Sequence, residues 1–283
     1  MTRRQIAPLL VGRRIARVAT TRASTLFLTR PTALREGLVG REVRELERRG
    51  KYLVARLDDA ACLVLHLGMT GQLFSAQATS PRLLSAGARS ALRPEQQLRF
   101  EPDSHTHLRL GFADGGPEVF LRDVRKFGKV LLLRRGESHP RIDRLGVDAL
   151  ELPGEVLFAA SRGRRVAIKG LLLDQAVAAG VGNIYADEAL FRARIRPTRR
   201  AGALTRRECE ALAEAVRAVL LRSIETGGSS IRDYVAPDGA DGAFQDERRV
   251  YARGGEPCLV CGAPIRRTLV AQRGTHYCPR CQR

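Results

Sequence analysis

The sequence predicts an α+β protein in three parts, on three observations. Strand patterns dominate up to about Leu133, helical patterns take over from about Ile142, and four cysteines close the chain. Thr2 to Val11 reads as a helix with Ile6, Leu9 and Leu10 on one side, although no capping residue precedes it. Lys51-Tyr-Leu-Val-Ala-Arg-Leu57 and Cys62-Leu-Val-Leu-His-Leu67 flank an Asp58-Asp59-Ala60 turn and read as a hairpin. His107–Phe112, Val119–Leu121 and Lys129–Leu133 continue a sheet, while Ser75–Ser104 is rich in Ala, Ser and Arg without a period and reads as a loop. Thr205-Arg-Arg-Glu208 is a capping box. The helix it opens carries Cys209, Leu212, Val216, Val219 and Leu220 on one face and stops at Gly227-Gly228. Cys209 and Cys62 therefore read as core residues.

With 283 residues the chain can bury a core in two or three domains. It has no run of about 20 apolar residues, so no membrane helix is expected. The segment MTRRQIAPLLVGRR never reaches the apolar run of a secretory signal, so a cytoplasmic protein is expected, monomeric and associated with the nucleoid. In a reducing compartment six cysteines read as metal ligands or core residues rather than a disulfide framework. Arginine outnumbers lysine, a bias that GC-rich genomes also produce. Even so, 49 basic residues against 30 acidic ones leave a net charge of +19. Such a surface attracts a polyanion at long range, and nucleic acid is the leading partner.

Cys258, Cys261, Cys278 and Cys281 form two C-x-x-C knuckles with sixteen residues between them. Four thiolates suit one closed tetrahedral zinc site, which leaves no position for a substrate and makes the metal structural. Zinc lets a segment of this length hold a rigid hairpin with almost no core, and so place Arg273 near a phosphate or base.

Several stretches together resemble the formamidopyrimidine-DNA glycosylases of the Fpg/Nei family. They are Arg49-Gly-Lys-Tyr-Leu53, His66-Leu-Gly-Met-Thr-Gly71, Asp123-Val-Arg-Lys-Phe-Gly128, Ala167-Ile-Lys-Gly170, Gly182-Asn-Ile-Tyr-Ala-Asp-Glu188, and Val250 onward. The resemblance implies a β-sandwich over residues 1–138, a helix–two-turn–helix domain over 139–240 and a zinc finger over 248–283. Duplex DNA carrying oxidised or abasic lesions would lie between the lobes. Met69, Arg125 and Phe127 match the family's wedge residues, and their types fit: Met and Phe can unstack a base step while Arg fills the vacated space. Lys51 matches the active-site lysine and Arg273 the finger arginine linked to elimination. Gly182 and Asn183 match the turn that clamps the DNA backbone. Glycines there let N–H groups approach a phosphate beside a helix N-terminus. His105, Arg164 and Lys169 fall where the family contacts DNA, with Arg164 standing where relatives often carry lysine. The loop Gly227–Tyr234 resembles the base pocket of purine-specific members, which favours 8-oxoguanine and formamidopyrimidines as substrates.

The chain departs from the family pattern at its start. The family's N-terminal proline, whose amine forms a Schiff base with the damaged nucleotide, and the glutamate beside it have no counterpart before Thr2-Arg-Arg-Gln5. The α-amine of Thr2 would lie about seven residues on, roughly 10 Å along a helix, where catalysis tolerates errors nearer ~1 Å. Three accounts are open: a true start upstream, which the uncapped helix favours; a non-catalytic protein that binds damaged or abasic DNA; or another amine, such as that of Lys51, in the nucleophile's place. The mass of the protein made in its own cell separates the first from the rest.

Overall fold

A computed structural model describes residues 2–22, 25–78, 100–229 and 242–283. They form two compact units, residues 1–139 with 227–245 and residues 140–226 with 246–283.

The first unit is a sandwich of two four-stranded antiparallel sheets. One has the order β1 (Ile15–Thr20), β6 (Thr106–Phe112), β7 (Val119–Asp123), β5 (Gly71–Ser75). The other has the order β2 (Val43–Arg49), β3 (Tyr52–Leu57), β4 (Cys62–His66), β8 (Lys129–Leu133). Inward residues of both sheets meet in one core, Leu46, Leu53, Leu63, Leu65 and Val130 from one and Ile15, Leu73, Leu108, Leu110 and Leu121 from the other. Helices α1 (Thr2–Leu10) and α2 (Pro31–Leu38) add Ile6, Leu10, Leu34 and Leu38 to it. The hairpin expected around Asp58 forms as β3–β4, with Tyr52 opposite His66 and Arg56 opposite Cys62.

Strands β1, β2 and β5 escape a reading by hydrophobic alternation. In β2 only Val43 and Leu46 are buried, and the remaining positions are arginine and glutamate. Those charges answer one another across the ladder, Arg56 Nη2 donating to Glu47 Oε2 at 3.2 Å, so polarity there marks a solvated sheet face. Strand β5 buries all five residues of GQLFS, and Gln72 is satisfied by Arg122, whose Nη1 donates to Gln72 Oε1 at 3.1 Å. Ser75 thus ends a strand rather than opening a loop. Phe100, at the far end of that expected loop, packs edge-on to Phe74 at 4.6 Å between ring centres. Residues 79–99 lie outside the described residues.

The second unit is built on helices α3 (Pro140–Asp143), α4 (Gly154–Ser161), α5 (Ile168–Leu173), α6 (Asn183–Arg192) and α7 (Arg206–Glu225). A short parallel ladder, β9 (Val147–Asp148) with β10 (Ala178–Ala179), ties its start to the turn before α6. The capping box opens α7 as expected, Glu208 N donating to Thr205 Oγ1 at 3.2 Å and Thr205 N to Glu208 Oε2 at 2.8 Å. Cys209 is fully buried on its inner face, and burial pushes its thiol pKa up. Cys62, half-buried in β4, is shifted upward by burial too. Among the described residues no helix is long and apolar enough to cross a membrane. Hairpin β11 (Arg266–Val270) and β12 (Arg273–Tyr277) completes the unit.

Candidate nucleic-acid interface

The four sulfurs of Cys258, Cys261, Cys278 and Cys281 all lie within 4.8 Å of one another, with Cys261 and Cys278 at 3.4 Å and Cys258 and Cys281 at 3.9 Å. Thiolates about 2.3 Å from a tetrahedral zinc stand about 3.8 Å apart, so the cluster fits one structural zinc ion. The first knuckle closes through Gly262 N donating to Cys258 O at 2.9 Å, with Gly262 at a φ of 72°. The second closes through Cys281 N donating to Cys278 Sγ at 3.3 Å. The apolar support is small: Val250, Cys258, Ala263, Ile265 and Cys278 are its buried members.

Between the knuckles, Val270 pairs with Arg273 across a two-residue turn, Ala271-Gln272. Both turn residues have positive φ, 49° and 57°, the pattern of a type I′ turn that Asn-Gly fills most easily. An L-residue with a side chain pays on the order of 1 kcal/mol at such a position. The strain sits directly before the exposed Arg273. Gln272→Gly is therefore expected to slow hydrogen exchange of the β11–β12 amides about fivefold, the factor for ~1 kcal/mol. Unchanged exchange would show that the turn holds no strain.

The hairpin is fastened to the helices by buried charge. Lys169, in α5, has no exposed surface. Its Nζ meets three acceptors, Asp187 Oδ1 at 2.7 Å, Thr275 Oγ1 at 2.8 Å and Gly274 O at 3.0 Å. The contacts to Thr275 and Gly274 are hydrogen bonds, and the one to Asp187 is a buried ion pair. Burial lowers the lysine's pKa and the Asp187 carboxylate opposes that shift. Asp187 Oδ2 also accepts from His276 N at 2.9 Å. Its neighbour Glu188 accepts three backbone N–H groups, from Arg249, Val250 and Tyr251, at 2.8, 3.0 and 2.8 Å. Burial pushes its carboxyl pKa up against those donors. The expectation that Lys169 touches DNA is corrected here: a side chain enclosed by the hairpin and an aspartate has no surface to offer a phosphate. Lys169 positions the finger.

Asn183 stands at the first position of α6, next to the N-cap Gly182. Its Nδ2 donates to Gly274 O at 3.1 Å, the same carbonyl that Lys169 holds. Gly180, with φ 112°, donates its N–H to Gln175 Oε1 at 3.0 Å, and Gln175 Nε2 donates to Leu173 O and Val181 O at 2.9 and 3.2 Å. One glutamine side chain thereby sets the turn that presents the α6 N-terminus. Arg164 is half-exposed in the loop before α5, with its Nη1 3.6 Å from Asp174 Oδ2.

The remaining expected site residues lie on the β-sandwich. Lys51 is exposed at the tip of the β2–β3 hairpin, where Arg49 pairs with Tyr52 and Gly50 takes a φ of 56°. Met69, 65% exposed, tops the loop between β4 and β5, and Arg125 and the 49% exposed Phe127 top the loop between β7 and β8. The Arg125 guanidinium carbon lies 5.1 Å from the Phe127 ring centre. His105 enters β6 half-buried, its N–H donating to Asp103 Oδ1 at 3.0 Å and its carbonyl accepting from Asp123 N at 2.9 Å. Asp103 is in turn held by the buried Arg122 through Nε at 2.9 Å and Nη2 at 2.8 Å. Residues 230–234 of the expected base-pocket loop lie outside the described residues.

Family models match along nearly the whole chain: the formamidopyrimidine-DNA glycosylase N-terminal domain over residues 1–130, the formamidopyrimidine-DNA glycosylase H2TH domain over 145–235, and the zinc finger found in FPG and IleRS over 255–283. The chain belongs to the formamidopyrimidine-DNA glycosylase family. The formamidopyrimidine-DNA glycosylase of Cupriavidus pinatubonensis is 45% identical over 296 residues, spanning 100% of this chain and 97% of that protein. That of Burkholderia thailandensis is 43% identical over 289 residues with the same coverage. Among solved structures, the MutM (Fpg) protein of Thermus thermophilus superposes with a TM-score of 0.82 at 39% identity, covering 99% of this chain and 96% of that one. The Lactococcus lactis Fpg in complex with DNA containing an abasic site gives a TM-score of 0.84 at 32% identity, covering 100% and 97%.

Asp123, Asp187, Glu188, Gln175 and Arg122 are not among the expected site residues, yet their side chains fix the loops and the hairpin on which those residues stand. Their signal in the sequence was weak but present. Asp187 and Glu188 interrupt the buried face of α6, where charges are found only when paired.

Proposed function

We propose that this chain is a DNA-repair glycosylase that removes oxidised purines, such as 8-oxoguanine and formamidopyrimidines, from duplex DNA and cleaves the strand at the resulting abasic site. One observation carries the reading. On a protein with a charge of +19, the large apolar side chains Met69 and Phe127 project from two braced loop tips with an arginine between them in sequence. Apolar side chains on two loop tips in backbone contact, on so basic a protein, suit insertion into a base stack.

Each unit contributes its own parts. On the sandwich, Met69 and Phe127 unstack the lesion, Arg125 fills the space opposite, and His105 and Lys51 approach the phosphates flanking it. On the helical unit, Gly182 and Asn183 present the α6 N-terminus to the backbone, Arg164 adds charge, and the finger carries Arg273 to the strand that is eliminated. Zinc supplies only rigidity. The protein acts as a monomer on chromosomal DNA in the cytoplasm. No observation among the described residues favours a binder without chemistry.

Borohydride reduction of the protein from its own cells, mixed with a duplex containing 8-oxoguanine opposite cytosine, tests the reading. Expected is a covalent protein–DNA adduct, with cleaved strand in the unreduced control. No adduct and no cleavage would leave only lesion binding. The affinity itself should fall steeply with salt, with a log–log slope of about −0.9 for each phosphate neutralised. A slope near zero would contradict phosphate clamping.

A further inference from the structure

The two exposed loops that carry Met69 and Phe127 are joined behind their tips by one buried carboxylate. Asp123, the last residue of β7, has no exposed surface. Its Oδ1 accepts the Thr70 hydroxyl, and its Oδ2 accepts Gly128 N at 2.7 Å. Thr70 follows Met69, and Gly128 follows Phe127. The main chain of Asp123 adds three bonds. Its carbonyl accepts from Lys126 N at 3.3 Å and His107 Nε2 at 3.1 Å, and its N–H donates to His105 O at 2.9 Å. His107 is itself buried and pinned at its other nitrogen by the Thr21 hydroxyl at 2.9 Å.

The loops also touch backbone to backbone. A Cβ placed on Gly68, whose φ is +64°, would stand 2.8 Å from the Phe127 carbonyl carbon and 2.9 Å from Gly128 N. One on Gly128 would stand 2.8 Å from His66 O and 3.0 Å from Asp123 Oδ2. Two loops this close, sharing one acceptor, cannot shift independently.

We propose that Asp123 is a positioning residue that couples the Met69 loop to the Phe127 loop, so that the two apolar side chains enter a damaged duplex as a single wedge. This rests on the wedge reading of those side chains. Asp123 itself touches no DNA. Its carboxylate accepts a proton donor from each loop, and Thr70 O–H and Gly128 N–H are both buried donors. Asparagine would keep both links, its Oδ1 accepting from Gly128 N and its Nδ2 donating to a rotated Thr70 hydroxyl, whereas leucine has a similar volume, offers no acceptor and releases both loops.

The test uses the full-length zinc-loaded protein and a duplex with a stable tetrahydrofuran abasic analogue opposite 2-aminopurine, whose fluorescence rises on unstacking. Asp123→Leu is expected to slow that rise at least tenfold while leaving affinity for an undamaged duplex within twofold of wild type. A pair of variants at Thr70 separates hydrogen bonding from packing. Thr70→Val keeps the volume and removes the hydroxyl, so it should slow unstacking like Asp123→Leu. Thr70→Ser keeps the hydroxyl and removes a methyl, so it should behave as wild type. The reverse order, with valine tolerated and serine impaired, would overturn the proposal, since it would assign Thr70 a packing role alone. Wild-type unstacking by both Asp123→Leu and Thr70→Val would overturn it as well. Phe127→Ala is the control for the underlying reading: if it fails to impair unstacking, the wedge assignment itself falls.

Discussion

Lys169→Met is expected to cost about 3–5 kcal/mol in the helical unit, because it strands Asp187 as an uncompensated buried charge. The loss should appear as zinc release at lower urea, read with a chromophoric chelator, and as faster exchange of the β11–β12 amides. The companion change is as informative as the first. Asp187→Asn in the Lys169→Met background removes the stranded charge while leaving an oxygen to accept from His276 N, a bond of 2.9 Å in the native protein. It should restore more than half of the loss, since replacing both members of a buried pair costs far less than removing one. A Lys169→Met protein within 1 kcal/mol of wild type would show that the ion pair is not what fastens the hairpin.

Removing zinc should have the larger effect. Structural zinc contributes on the order of 10–16 kcal/mol to domains of this kind, and the apolar cluster beneath the finger is small, Val250, Cys258, Ala263, Ile265 and Cys278 being its buried members. Chelation, or Cys261→Ser, is expected to let the β11–β12 amides exchange at near random-coil rates. Affinity for an abasic-analogue duplex should then drop by at least a hundredfold, since Arg273 and the Gly274 carbonyl lose their frame. The amides of β3, β4 and β8 should stay protected, because the sandwich has a core of its own. A finger that keeps its protection without metal would refute the structural role of zinc.

The legibility of the fold tracked how each element earns its stability. The β3–β4 hairpin and β8 were readable because their buried residues run together, as in Lys129-Val-Leu-Leu-Leu133. The capping box of α7 was readable because it is a local arrangement of two side chains and two amides. Strands β1 and β2 were not, because Ala16 and Arg17 in the one and arginines and glutamates in the other hide a two-residue inward pattern. Among site residues, the zinc ligands follow from spacing alone. Lys169 could be found by its motif but not given its role, since nothing in Ala-Ile-Lys-Gly reveals the partners Asp187, Gly274 and Thr275 that enclose it. Asp123 opens the Asp123–Gly128 stretch, and nothing in that stretch reveals its bond to Thr70, 53 residues earlier in the chain. Tertiary proximity, which sets both, has no local trace.

The link between β2 and β3 has a last implication for how this protein can vary. Its two residues, Gly50 and Lys51, are the fewest that can reverse an antiparallel pair. Such a tip has no slack with which to absorb an added or deleted amino acid: slippage by one place would turn Leu46 and Leu53 outward and carry the lysine to the opposite side. Drift in chain length should therefore be forbidden at this tip, and an insertion scan should find it among the least forgiving sites on the sandwich.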